Sequence, residues 1–334
     1  MRFFCLPLLI AQLLFSGTAF STEKQTLTVY TYDSFTSDWG PGPKVKEAFE
    51  KICNCTLKYV ALEDGVSLLS RLKLEGKHTK ADIVLGLDTN LMANAEASGY
   101  FAAHKMTLDK LTLPKKWTNT HFIPYDFGYF AFVYNKDKLK KPPTSLKALI
   151  ENPDSPKILI QDPRTSTPGL GLLLWVKKIY GDKAAEAWQK LAPRIVTVSK
   201  GWSEAYGLFL KGEAPLVLSY TTSPAYHIIA EKKNNFAAAK FSDGHYQQIE
   251  VAGMIDSSKN KKLAKKFLNF IQGETFQKII PTTNWMYPAA LEKTELPEAF
   301  NTLIDPEPAL IFSSDEVNKN RKAWVGEWLD ALAK

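Results

Sequence analysis

The chain has 334 residues, of which 45% are apolar, 12% aromatic and 23% charged, and its formal net charge is +7. These proportions exclude disordered, collagenous and disulfide-scaffold classes and suit two domains of ordinary size. Lys and Arg are interspersed with Asp and Glu and no basic arm stands out, so a nucleic-acid partner is not expected.

The N-terminus reads as a secretory signal peptide. Arg2 precedes a mostly apolar stretch from Phe3 to Phe15, and small residues follow it. Cleavage after Ala19 or after Ser21 fits the small-x-small rule equally, so residues 1–21 are expected to be leader and the mature chain exported. Two cysteines then remain, Cys53 and Cys55 in ICNC. A local disulfide, two free thiols and a metal site are all open for them.

Strands and helices alternate beyond the leader. TLTVYTY (Thr26 to Tyr32) reads as a buried strand, and GPGP opens a helix with Val45, Ala48, Phe49 and Ile52 on one face. CTLKYVAL is a second strand, and DGVSLLSRLKLEG is a helix that ends at Gly76. ADIVLGL is a third strand, followed by the helical NLMANAEASG. This order predicts a parallel sheet with helices on both faces. The alternation restarts with ILIQDP before a helix from Pro168, IVTVS before a helix at Trp202, and PLVLSY before one from Pro224.

The aromatic stretch from Phe122 to Leu139 is too long for one lobe's ordinary strand and suits a crossing between lobes. HYQQIEVAGMI, from His245 to Ile255, is a second candidate crossing, followed by the amphipathic KKLAKKFLNFI. The expected layout is a first lobe over 22–121, a crossing at 122–139 and a second lobe over 140–244. A return to the first lobe at 245–290 and C-terminal helices at 291–334 complete it. A ligand is expected in the cleft between lobes, near the strands' carboxyl ends.

Nucleophile elbow, phosphate loop, zinc-protease and dinucleotide motifs are missing from the sequence, and the five histidines are scattered. Polar and aromatic residues instead gather at strand ends. TYDSF follows the first strand, EDG the second, and DPRTSTPG a strand of the second lobe. Ser166 and Thr167 there suit either plain helix capping or an anion site at a helix N-terminus. Tyr32, Trp202, Tyr220, Tyr226 and Trp285 lie in such loops, where flat rings can sandwich an aromatic ligand and attract a cation. Asp64 is placed to supply the opposite charge. The specification is a flat cation that carries a phosphate in some forms.

The segments TVYTYDSF, WGPGP, LEDGVSLL, QDPRTSTPGLGLLLW, KGWSEAYGLFLKGE, LSYTTSPAYHI and NWMYP resemble the periplasmic thiamine-binding proteins of bacterial ABC importers. The resemblance spans nearly the whole mature chain. It implies an α/β, two-lobed type II periplasmic binding protein fold that captures thiamine, its monophosphate and its diphosphate between the lobes. It further implies delivery to an inner-membrane permease with a cytoplasmic ATPase, a monomeric state, and no cofactor or catalytic residue. Its ligand residues fall on Asp64 and Gly65, Ser166 and Thr167, Trp202, then Tyr220, Thr221, Thr222, Ser223, Pro224 and Tyr226. Tyr32 and Trp285 complete the aromatic surround. Two other classes compete: a ferric-ion-binding periplasmic protein, and a periplasmic hydrolase of phosphorylated thiamine.

Overall fold

In strand β1 (Thr26–Tyr32) the alternate side chains Leu27, Val29 and Thr31 are fully buried, and Tyr30 and Tyr32 on the other face are nearly so. Burial on both faces requires cover on both sides, which is what helices crossing between parallel strands provide. The structure is a computed structural model that describes residues 24–333. The expected signal peptide lies outside the described residues. β1 pairs in parallel with β2 (Thr56–Leu62) and β3 (Ile83–Asp88). The connecting helices are α1 (Gly42–Cys53) and α2 (Gly65–Glu75), and α3 (Met92–Glu96) follows β3.

Val45 and Phe49 of α1 are fully buried and Ala48 is half-buried, as the helical spacing predicts. Ile52 corrects that reading. It is 52% exposed, on the last turn before the chain leaves the helix through the left-handed Asn54 (φ 51°). The turn brings Cys53 and Cys55 into a disulfide, which settles the alternatives left open by the spacing.

The long strand β4 (Phe122–Asn135) changes partner along its length. A second α/β unit then runs through β5 (Ile158–Gln161), α4 (Thr167–Tyr180), α5 (Ala184–Leu191), β6 (Ile195–Ser199), α6 (Trp202–Lys211), β7 (Leu216–Tyr220) and α7 (Pro224–Ile229). β8 (His245–Ile255), α8 (Lys261–Ile271), α9 (Glu274–Thr283) and α10 (Ser314–Leu332) follow. The principal strands are ordered β2-β1-β3-β8-β4-β7-β5-β6. Parallel pairs occupy the two ends, and antiparallel pairs made by β4 and β8 occupy the middle.

β4 pairs with β8 from Phe122 to Tyr129 and with β7 from Phe130 to Tyr134. One continuous strand therefore belongs to both halves. β8 is buried along its whole length, between β3 and β4. α10 packs on α3 and also on α4 and α5, so the C-terminal helix touches elements on both sides of the crossing.

The midpoint of β4 is packed without slack. Phe130 is fully buried and lies against Gly171 of α4, where an added Cβ would come within 2.0 Å of the ring. The close approach of helix to strand thus depends on a missing methyl group. Gly171→Ala should destabilise the protein by about 1–3 kcal/mol, the scale of core overpacking, as read by denaturant titration. A parental midpoint would show that α4 does not bear on β4 so closely.

Candidate functional site

The carboxyl ends of β1, β2 and β7 converge on a cavity of about 260 Å³. Tyr32 is the last residue of β1, Asp64 follows β2, and Tyr220 ends β7. Strand ends are where backbone pairing stops and side chains are free to meet a ligand.

The floor is a buried polar network centred on Glu250 of β8. The Tyr32 and Tyr125 hydroxyls both donate to its Oε2 at 2.8 Å, and the Gln248 amide donates to its Oε1 at 3.2 Å. Tyr220 in turn donates to Gln248 at 2.8 Å, and Asn284 donates to Asp126 Oδ2 at 2.7 Å. Asp126 stands directly opposite Glu250 in the β4–β8 register. Burial first, and then the Glu250 charge, push Asp126 well above the usual carboxylate range. Burial also raises Glu250, but the tyrosine and Asn284 hydrogen bonds oppose it. Burial thus raises both acids, Asp126 the more strongly, because the hydrogen bonds that converge on Glu250 oppose its rise.

Tyr32 reaches this floor because β3 makes room for it. At Gly86 (φ 110°) an added Cβ would lie 2.3 Å from the Tyr32 ring, a position only glycine can occupy. Asp64 forms the side wall. It is 7% exposed, precedes α2, and accepts hydrogen bonds from its neighbour Gly65 N at 3.1 Å and Ser166 Oγ at 2.8 Å. Burial pushes its carboxyl up to about 7, against those hydrogen bonds. Asp64 and Glu250 both line the cavity, and among the described residues no Lys, Arg or His does.

The remaining walls are aromatic. Trp202 stacks on Tyr206 with centroids 4.8 Å apart and planes at 24°, and its indole N–H donates to Ser219 at 2.8 Å. Trp39, from the segment after β1, lies 6.1 Å from Trp202 across the opening. Tyr226 meets Trp285 edge-on at 5.3 Å. Trp285 has φ 57°, the left-handed position just past α9 where glycine is usual. A bulky residue there costs about 1–2 kcal/mol, so the turn accepts strain to aim an indole at the cavity.

Of the residues expected from sequence, the structure brings Tyr32, Asp64, Trp202, Tyr220, Ser223, Tyr226 and Trp285 to the lining. Gly65, Ser166, Thr167, Thr221, Thr222 and Pro224 are buried behind it. The Ser166 hydroxyl is engaged by Asp64, and Thr167 Oγ1 accepts from Gly65 N at 3.2 Å. Thr165 O receives Ser67 N at 3.1 Å, and Ser203 donates to Asp33 at 3.0 Å. These bonds close the two halves against each other. The start of α4, expected to receive an anion, is sealed by Asp64 and Gly65 in this arrangement. Sequence reasoning missed Glu250, Asn284, Met286, Trp39 and Tyr206. All sit inside segments already singled out, Glu250 as an acid in the strand read as a crossing.

Among the described residues no three His, Cys, Asp or Glu side chains are grouped to hold a metal ion. No helix among them is long and apolar enough to cross a membrane. The chain matches the family of bacterial extracellular solute-binding proteins over residues 41–278. It is similar to the thiamine-binding periplasmic protein of Escherichia coli strain K12, 59% identical over 330 residues and 99% of each chain. It is likewise similar to the thiamine-binding periplasmic protein of Salmonella typhimurium strain LT2, 58% identical over 329 residues and 98% of each chain. A solved structure of a periplasmic thiamin binding protein superposes with a TM-score of 0.91 at 60% identity, covering 93% of this chain and 97% of that one.

The Asp64 shift has a consequence for stability. A carboxyl near 7 in the folded state, against 3.8 for the ordinary group, binds its proton more tightly when folded. Its contribution is therefore favourable at low pH and is lost as pH rises between those values. For the ligand-free protein, unfolding free energy should fall from about pH 5 to about pH 8, and Asp64→Asn should reduce that fall by on the order of 2 kcal/mol. An unchanged pH profile in the variant would mean that Asp64 is not ionised at a cost.

Proposed function

The chain belongs to the family of bacterial extracellular solute-binding proteins, and we propose that it is the substrate-binding component of a thiamine ABC importer. Its fold is that of the two-lobed type II periplasmic binding proteins. The relatives are named as periplasmic, and the chain is periplasmic with them. Its role is capture and delivery to an inner-membrane permease with a cytoplasmic ATPase. No bond is made or broken in the ligand.

The observation that carries this reading is the pairing of two buried carboxylates with aromatic walls and no basic side chain in one cavity. Thiamine has a permanently cationic thiazolium and a flat aminopyrimidine. Glu250 and Asp64 offset the thiazolium, whose charge favours their ionised forms against the burial that raises both. The pyrimidine suits the faces of Trp202, Tyr220 and Trp285, with stacking and cation–π attraction to the adjoining ring. The monophosphate and diphosphate are included in the proposal. Their negative tails have no cation inside the cavity, which directs them to its mouth. There α6 begins with Trp202 and Ser203 and without a side-chain cap, so its first amides are available to an anion.

Calorimetric titration with thiamine tests the reading, and saturable one-to-one binding is the expected result. Trp202→Ala should weaken it by about 1–3 kcal/mol, with circular dichroism unchanged. Parental affinity in that variant would remove the tryptophan from the site. Tight ferric-ion binding, or release of inorganic phosphate from thiamine diphosphate, would point to the competing classes.

Ligand affinity should also depend on pH. A cation beside Asp64 favours the ionised carboxylate, so binding releases a proton wherever Asp64 is protonated in the free protein. Thiamine affinity should rise as pH increases toward about 7, the value to which burial pushes Asp64, and level off above it. In Asp64→Asn the rise should flatten while the overall affinity falls. A parental protein whose affinity does not change over that range would place the thiazolium away from Asp64.

A further inference from the structure

A second cavity, of about 290 Å³, lies apart from the aromatic one and has the opposite chemistry. It is lined by Asn90 and Asn94 from the region of α3, Arg164 from the loop before α4, and Asn318, Arg321 and Lys322 on α10. Three cations and three amides face it, and no carboxylate is among the lining residues.

Among the described residues Arg321 and Lys322 have no salt-bridge partner, whereas Arg164 is already paired with a carboxylate. Asp162 is held by Arg164 through Nε at 2.9 and 3.0 Å. Asp88 is fully buried and already accepts from the Asn90 side chain at 2.8 Å and from the Asn90 and Leu91 amides at 3.1 Å. Lys73 of α2 donates to Asn94 at 2.6 Å and adds a further cation at the edge, its own ammonium lowered by burial and by the Arg321 charge. Arg321 is half-buried, and its Nε is buried with no hydrogen-bond partner. Burial pulls its guanidinium below the usual range, with only the charge of Asp88 opposing. An unpaired guanidinium N–H away from water is costly.

We propose that this second cavity is a binding site for a small, multiply charged oxyanion of the phosphate type. Arg321 and Lys322 would grip it from α10, with Arg164, itself paired with Asp162, lining the same cavity. Arg321 supplies the planar, directional donor suited to an oxyanion, and Lys322 adds charge. Because Arg164 and Asn90 come from different sides of the crossing strands, the site is complete only when the two halves are together. This inference does not rest on the thiamine reading, since the two cavities share no lining residue.

The test is calorimetric titration of the mature protein with inorganic phosphate, at ionic strength held constant with chloride. Saturable one-site binding is expected for the parent. Arg321→Gln should weaken it about tenfold or more, and Lys322→Gln a few-fold. Lys211→Gln, on the exposed end of α6 away from the cavity, should match the parent. The proposal is overturned if the parent shows no saturable binding, or if Lys211→Gln loses as much as Arg321→Gln, which would mean diffuse surface attraction. Should Arg321→Gln fail to fold, the exposed Lys322→Gln decides: parental phosphate affinity there overturns the site.

Discussion

The rest of the binding cleft depends on one buried negative charge. Glu250 sits in the middle of a strand that is buried along its whole length, and a carboxylate there is sustainable only if several donors converge on it. They come from distant parts of the chain. Tyr32 arrives from the first strand, Tyr125 from the crossing strand, and Asn284 from the turn after α9. Each donor is fixed by that demand, and so the floor of the cavity inherits its position from it. The neighbouring Asp126 is pushed well above the usual carboxylate range by burial and by the Glu250 charge, because two facing carboxylates resist ionising together away from water.

That charge lies where the two halves are joined. β4 and β8 run side by side through the junction, and the partner exchange at Tyr129 and Phe130 hands the sheet from one half to the other. The cleft floor is therefore tied to the connection, since neither strand can shift without disturbing the Glu250 network. The contacts at the rim are of another kind. Ser166 with Asp64, Thr167 with Gly65 and Ser203 with Asp33 are short polar bonds between side chains or turns. Polar bonds of that sort contribute modestly to stability.

The aromatic lining has its own support behind it. Tyr206, on which Trp202 stacks, is hydrogen-bonded at 2.8 Å to His227, which is bonded at 2.8 Å to Glu231. Burial lowers His227, so its ring is kept neutral and available as a hydrogen-bond partner to the tyrosine. The indole N–H of Trp202 is separately satisfied by Ser219. With its polar atom paired and one face backed, the tryptophan presents its other face in a fixed plane. Preorganisation of this kind lowers the ordering cost of binding.

Strand and helix periodicity alone placed the two α/β units, because a parallel strand must be apolar on both faces and a covering helix on one. The run from Phe122 to Leu139 read as a crossing because it is too long for one lobe's strand, and the strand Phe122–Asn135 pairs with β8 and then with β7. Residues at strand ends, such as Tyr32, Asp64, Tyr220 and Trp202, were legible as site candidates because a polar or aromatic residue there has no core to fill. What the linear pattern lacked was depth. Ser166 and Thr167 carry the same capping signature whether a helix start faces a ligand or, as here, closes on Asp64 and Gly65. Ile52 repeats the apolar spacing of its helix and still ends exposed, because spacing does not say where the neighbouring layer stops. Glu250 was invisible because its meaning comes from Tyr32, Tyr125 and Asn284, each separated from it by 34 to 218 positions. Local patterning determines which face of an element is buried, whereas the convergence of donors on one carboxylate, and of cations around a second cavity, is set only when the tertiary fold brings distant segments within hydrogen-bond range.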